Sequence, residues 1–256
     1  MKYLIIGGTG LISTPITRFL LERGEDVTLF NRGKSEARIP PGAKIIIGDR
    51  THFSEFELQM REAGMFDFVI DMVCFRPKEA ESSVRAYKGR IYQYIFCSTV
   101  DVYGKPGISM PYKESEPRLA LTEYGKNKAL CEDIFMKSHQ QGDFKVTIIR
   151  PAATYGEGGT IIHTFGWKTT YLDRIRKGKP IVVSGDGNSL WVMCHVDDCA
   201  RAFLAACGNQ KAYGKAYHTT GEEWMTWNQY HQKVAQALNA PEPKLIHIPA
   251  EILYRL

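Results

Sequence analysis

A tyrosine and a lysine four residues apart, Tyr124 and Lys128 in the stretch YGKNK, make the pair with the plainest chemical use in this chain. On a helix that spacing projects both side chains from one face. A free phenol, with a pKa of about 10, is a poor base at neutral pH, and an ammonium group beside it favours the phenolate. Of thirteen tyrosines, Tyr124 alone has a lysine four residues on. A hydroxyl from Ser98 or Thr99, in FCSTVDVYG at 96–104, would hold the substrate oxygen whose proton Tyr124 moves. Such a set interconverts a secondary alcohol and a ketone if a hydride carrier lies beside it. The spacing alone equally describes a surface tyrosine next to a solvated lysine.

A site for such a carrier is written at the start of the chain. GGTGLIS at 7–13 follows a short apolar run and opens a helical pattern. Gly7 and Gly10 let the backbone turn tightly, and with Thr9, Leu11 and Ile12 they would bring it against a pyrophosphate at the helix N-terminus. Ser13 takes the third small-residue position. About twenty residues on, where a carboxylate would hold the ribose of NAD, the sequence reads Asn31-Arg32-Gly33-Lys34. With no acid there to repel it, a 2′-phosphate can pair with Arg32 and Lys34, which favours NADP over NAD. The plain alternative is a solvated basic turn. Asp49, in IIIGDR, is placed to meet an adenine; Arg50 is either beside the cofactor or simply solvated.

The elements that must position these residues alternate in type. Strand-length apolar runs at 3–6, 26–30, 43–47, 66–70, 90–96 and 144–149 are separated by helical patterns, among them 11–23, a segment after Pro77, and one through Tyr124 to about His139. This is the pattern of right-handed βαβ units. The expected fold is α/β, a doubly wound parallel sheet of the Rossmann type with six buried strands. After Arg150-Pro151 the chain turns rich in glycine and aromatics, then returns to a helical pattern at HVDDCARAFLAAC and a strand at 215–220. The expected division is 1–155 with 195–220 as the dinucleotide-binding domain, and 156–194 with 221–256 as a smaller substrate region.

Composition narrows the function classes. With 44% hydrophobic and 24% charged residues the chain is globular, and its net charge of +5 is spread without a basic run that would form a nucleic-acid arm. A small anionic ligand accounts for it. The six cysteines contain no C-x-x-C pair and sit mostly in apolar runs, which points to buried thiols in a reducing cytoplasm and to no metal site. The N-terminal apolar run is too short for a secretory signal or a membrane span. The final PAEILYRL stops inside an apolar helical pattern, so the natural chain is expected to continue.

GGTGLIS, STVDVYG, YGKNK, IIRPAATYG and GDG followed by HVDDCARAF, in that order, resemble the extended short-chain dehydrogenase/reductases, the NAD(P)-dependent epimerase/dehydratase family. The resemblance implies Tyr124 as acid/base, Lys128 lowering its pKa and holding the nicotinamide ribose, and Thr99 as the substrate-hydroxyl contact, with Ser98 the lesser candidate. It implies a sugar-like, possibly nucleotide-linked substrate and a homodimer. Three departures bear on the reaction. Val100-Asp101 leaves one acid where sugar-nucleotide dehydratases have two, so Asp101 stands alone on the substrate side. Trp191 occupies a position where many members place an arginine for substrate phosphates. Asp71-Met72-Val73-Cys74 replaces H-x-A-A, which changes the wall beside the nicotinamide at Val73. VTLFNRGK and GDGNSLWV are similar to a branch that includes chloroplast stem-loop RNA-binding proteins, so RNA binding is the rival function. His195, with Asp197 and Asp198, reads as the head of a helix rather than a metal ligand, Cys194 and Cys199 as core thiols. Trp167, Tyr171 and Arg174 either line a substrate pocket or pack the second region.

Overall fold

The computed structural model describes residues 1–34, 39–105 and 107–253. The chain divides into two compact units, Met1–Thr154 with Val196–Thr219, and Tyr155–His195 with Thr220–Leu256.

The first unit is a seven-stranded sheet, parallel throughout, formed by β1 (Lys2–Ile6), β2 (Asp26–Asn31), β3 (Lys44–Ile47), β4 (Phe66–Asp71), β5 (Ile91–Cys97), β6 (Lys145–Pro151) and β10 (Lys215–Thr219). Its order is β10-β6-β5-β4-β1-β2-β3, so the direction of winding reverses between β1 and β4. At that reversal the loops leaving the two strands part and open a crevice at their carboxyl ends. Five helices cross between strands: α1 (Ser13–Glu22), α2 (Phe53–Glu62), α3 (Pro77–Tyr87), α4 (Glu123–Gln140) and, before β10, α6 (Val196–Ala206). The central strands are apolar on both faces, as burial between two helix layers requires: Leu4, Ile5 and Ile6 of β1 are all inaccessible. Tyr94, Phe96, Phe135 and Phe144 form one packed aromatic group on the α4 side.

Two expectations about this sheet need correction. β3 is not buried: it is the edge strand, with Ile45 45% and Ile47 62% exposed. And the sheet has seven strands rather than six, because the strand at 215–220, β10, pairs with β6 at the opposite edge.

The second unit contains α5 (Thr170–Arg176), β8 (Ile181–Ser184), β9 (Leu190–His195), β11 (Trp224–Thr226), α7 (Trp227–Ala237), β12 (Leu245–Ile248) and α8 (Ala250–Leu253); β7 (Ala153–Tyr155) leads into it. β8 pairs in parallel with β12, and β9 antiparallel with β11. Its core is Tyr171, Ile175, Ile181, Tyr230 and Val234, with Trp191 and Trp227 against it. His195 ends β9 and directly precedes α6, whose first turn carries Asp197 and Asp198 as expected. The last three residues of PAEILYRL, 254–256, lie outside the described residues.

Candidate active site

The glycine turn lies between β1 and α1. Gly7 adopts φ +85°, and a Cβ there would come within 2.4 Å of Val73 Cγ1, so both conformation and space demand glycine. Ser13, 1% exposed, locks the loop: its hydroxyl donates to the Gly7 carbonyl at 2.7 Å and accepts from Gly10 N–H at 2.8 Å. Helix α1 has neither a side-chain cap nor an acid in its first turn. Its orphan N–H groups and dipole therefore suit an anion, and the bare backbone at Gly10 lets a pyrophosphate approach.

A cavity of about 270 Å³ connects this turn to the tyrosine, lined by Gly7, Gly10, Leu11, Ile12 and Val73 on one side and by Cys97, Ser98, Thr99 and Tyr124 on the other. Thr9, within the turn, does not line it. Tyr124 stands in the first turn of α4, where the Thr122 hydroxyl accepts from Gly125 N–H at 3.0 Å and caps the helix. Gly125 went unnoticed within YGKNK, yet a Cβ on it would lie 2.1 Å from the Asp101 carbonyl. That close passage sets the tyrosine beside the Thr99 loop.

Lys128, one turn on, is 1% exposed. Its ammonium donates to the carbonyls of Cys74 at 2.8 Å and Cys97 at 2.5 Å, and lies over the rings of Phe96 at 4.6 Å and Phe75 at 5.1 Å. The phenol of Tyr124 is pushed up to about 12 rather than lowered: desolvation leads, the Cys97 sulfur adds to it, and a hydrogen bond with Thr99 opposes. Lys128 stands 6.0 Å from the phenol ring and spends its donors on backbone, which is why the expected lowering is not seen.

Ser98 and Thr99 separate in role. Ser98, 3% exposed, gives its hydroxyl proton to Glu132 Oε1 at 2.5 Å; Glu132 in turn holds Arg150 at 2.9 and 2.6 Å and Arg118 at 3.1 Å. Thr99 accepts from Asp101 N–H at 3.1 Å and shares the cavity wall with Tyr124. Asp101 itself pairs with Lys105 at 3.2 Å on the surface.

At the end of β2, Asn31 Oδ1 accepts from Gly33 N–H at 2.8 Å and turns the chain, while its buried Nδ2 has no partner among the described residues. Arg32 and Lys34 are exposed. Asp49 accepts from the N–H and hydroxyl of Thr51 at 2.9 and 2.7 Å, which holds its carboxyl below the usual range. Arg50 is neither solvated nor turned toward a ligand. It is 6% exposed and donates to both oxygens of the fully buried Asp71, because an arginine drawn into the core needs a counter-charge.

In the second unit Trp191 stacks on Trp227 at 4.6 Å as part of the core cluster. Tyr171 is buried, Trp167 is 51% exposed, and the exposed Arg174 rims a separate cavity of about 300 Å³ with Lys168 and His163. Cys194 and Cys199 are buried, in keeping with core thiols. Among the described residues no helix is long and apolar enough to cross a membrane.

The sequence matches the model of the NAD dependent epimerase/dehydratase family over residues 3–218, so the chain belongs to that family. It is 31% identical over 259 residues to the chloroplast stem-loop binding protein of 41 kDa b of Arabidopsis thaliana, covering 96% of this chain and 65% of that protein. It is 26% identical over 251 residues to the 2'-dehydrokanamycin reductase of Streptomyces kanamyceticus, covering 98% and 70%. The chain thus spans about two thirds of the length of these curated relatives. A solved UDP-N-acetylglucosamine 4-epimerase from Methanobrevibacter ruminantium superposes with a TM-score of 0.82 at 19% identity, over 97% of this chain and 85% of that one, which shows a shared fold.

Proposed function

We propose that this member of the NAD dependent epimerase/dehydratase family is an oxidoreductase or epimerase for a secondary alcohol or ketone on a sugar-like substrate, with Tyr124 as its acid/base. The single observation that carries the reading is the cavity that opens both onto the glycine turn and onto Tyr124 and Thr99. Gly7, Gly10 and the start of α1 would hold the pyrophosphate, Asp49 the adenine, Asn31 with Arg32 and Lys34 the adenosine ribose or its 2′-phosphate, and Lys128 the nicotinamide ribose. When bound, the nicotinamide supplies a hydride acceptor or donor for the substrate carbon. Thr99 orients the substrate hydroxyl, and Tyr124 takes its proton during oxidation or returns it during reduction. A phenol pushed up to about 12 is mostly protonated at neutral pH, which suits the reducing direction and makes oxidation rise with pH.

The substrate class is supported by the 2'-dehydrokanamycin reductase among the relatives. The first test is fluorescence titration with NADPH and with NADH, where tighter NADPH binding is expected. Tyr124→Phe should then lower turnover by ~10²- to 10⁴-fold with cofactor affinity nearly unchanged. Retained turnover would remove Tyr124 from the chemistry.

A second reading, RNA binding, is favoured by the stem-loop-binding relative and by one stretch of sequence: exposed Arg174, Arg176, Lys177 and Lys179 follow exposed Phe165 and Trp167, Phe165 and Arg174 line one cavity, and Asp173 is tied to Lys177. Cations interleaved with aromatic rings suit single-stranded bases. RNA affinity that falls steeply with salt and survives Tyr124→Phe would establish it.

A further inference from the structure

Beneath the cavity wall lies a charged cluster that the chemistry above does not use. Arg50 Nη1 donates to Asp71 Oδ1 at 2.7 Å and Oδ2 at 2.6 Å, and Nη2 donates to Ser83 Oγ at 2.9 Å and the Glu79 carbonyl at 3.1 Å. The hydroxyl of Tyr94, fully buried, donates to the same carboxylate. A further bond leads out of the cluster toward the cleft: the backbone N–H of Val73 donates to Asp71 Oδ1 at 3.0 Å. Met72 and Val73 line the cavity, and Val73 presses on the glycine turn at Gly7. The next carbonyl, that of Cys74, accepts from Lys128. Four consecutive residues thus carry the ion pair, the cleft wall and one of the two carbonyls that hold the ammonium.

A buried ion pair is weak evidence for a stabilising role, since a well-packed apolar pair of similar volume often does as well. What an apolar pair lacks is direction. Both oxygens of Asp71 are occupied by donors from three sides, from the turn between β3 and α2 through Arg50, from β5 through Tyr94 and from its own loop through Val73. That leaves the Val73 N–H, and with it the wall, one orientation.

We propose that Asp71, clamped by Arg50 and Tyr94, is a positioning residue for the dinucleotide cleft, fixing Val73 against the glycine turn and setting through Cys74 where the Lys128 ammonium stands. The inference rests on the dinucleotide reading above.

Two variants of the full chain test it. The double substitution Arg50→Met with Asp71→Leu removes both charges and keeps apolar volume, and Tyr94→Phe removes one donor while keeping the ring. For each, melting temperature, amide hydrogen exchange of the 72–76 segment, and Kd for NADPH and NADH by fluorescence are measured. The double variant is expected to melt below the wild type, because the Tyr94 hydroxyl and the Val73 N–H lose their acceptor, while its 72–76 amides exchange about tenfold faster and its dinucleotide Kd rises about tenfold. Tyr94→Phe is expected to shift exchange and Kd the same way by a smaller factor, and serves alone if the double variant does not fold. Lowered melting with unchanged 72–76 exchange and Kd would overturn the inference, leaving a merely structural ion pair. Faster exchange with unchanged Kd would also overturn it. A wild type that binds neither dinucleotide would instead overturn the functional reading on which it rests.

Discussion

In the first unit Arg50 and Arg150, both almost inaccessible, each meet a buried carboxylate through two hydrogen bonds, whereas in the second unit His163 and His231 lie among aromatic rings, with His231 Nε2 unpartnered among the described residues. The first arrangement is charged and directional; the second is neutral and held by packing. Lys128 stands between them in kind. It is as buried as the arginines but is met by carbonyl dipoles and ring faces. Carbonyls stabilise an ammonium without cancelling its charge, whereas each arginine is met by a carboxylate of opposite sign. Under the proposed function, the difference separates buried charge that builds the scaffold from buried charge that serves the site.

The sharpest break is expected at Glu132. Glu132→Ala leaves Arg150 buried without a counter-charge and Ser98 without its acceptor, and should cost about 3–5 kcal/mol in urea unfolding. A loss below 1 kcal/mol would mean that the pair is not the scaffold described here. Lys128→Met should behave in the opposite sense. Turnover is expected to fall about 10²- to 10³-fold as its electrostatic contribution is lost, with melting temperature unchanged or raised because no carboxylate is orphaned. A large drop in stability would place Lys128 with the arginines.

This contrast also marks what the sequence could and could not show. GGTGLIS and YGKNK were legible because their geometry is local: a tight turn spans a few residues, and Tyr124 and Lys128 are neighbours by helical period alone. The sheet was legible because each buried strand is a mostly apolar run, with few interruptions such as Thr28, Gln93 and Thr147. Arg50 was not legible, since its partner Asp71 lies 21 residues away on another strand and only the sheet order brings them together. The division of labour between Ser98 and Thr99 was hidden for the same reason: Glu132, 34 residues on, claims the Ser98 hydroxyl. The edge position of β3 was equally invisible, because KIII reads as apolar whether or not a neighbour covers it.

The second unit offers a smaller and pH-dependent effect. Burial pushes His231 from 6.5 down to about 4, with His163 beside it adding to the shift and the Trp227 carbonyl opposing it, and burial lowers His163 as well. Because the folded pKa lies below the unfolded one, the unfolded chain binds the proton more readily. His231 therefore contributes stability that is complete above about pH 6.5 and is lost as pH falls toward about 4, a change of about 3 kcal/mol at most. His231→Phe should flatten that part of the stability curve as followed by tryptophan fluorescence, Trp191 and Trp227 being packed nearby. An unchanged acid slope would show that the imidazole finds a compensating partner on protonation.

The smallest expected effect tests whether exposed cations can discriminate where buried ones cannot. Arg32 and Lys34 sit on the surface at the end of β2, where residues 31–34 themselves carry no carboxylate. An exposed cation is screened, so Arg32→Ala should weaken NADPH by about 1 kcal/mol, roughly fivefold, and leave NADH within twofold. The NADPH effect should shrink as ionic strength rises. Equal weakening of both dinucleotides would assign Arg32 to the shape of the Asn31 turn, and no effect on either would leave the turn solvated and the preference for NADP without a residue to carry it.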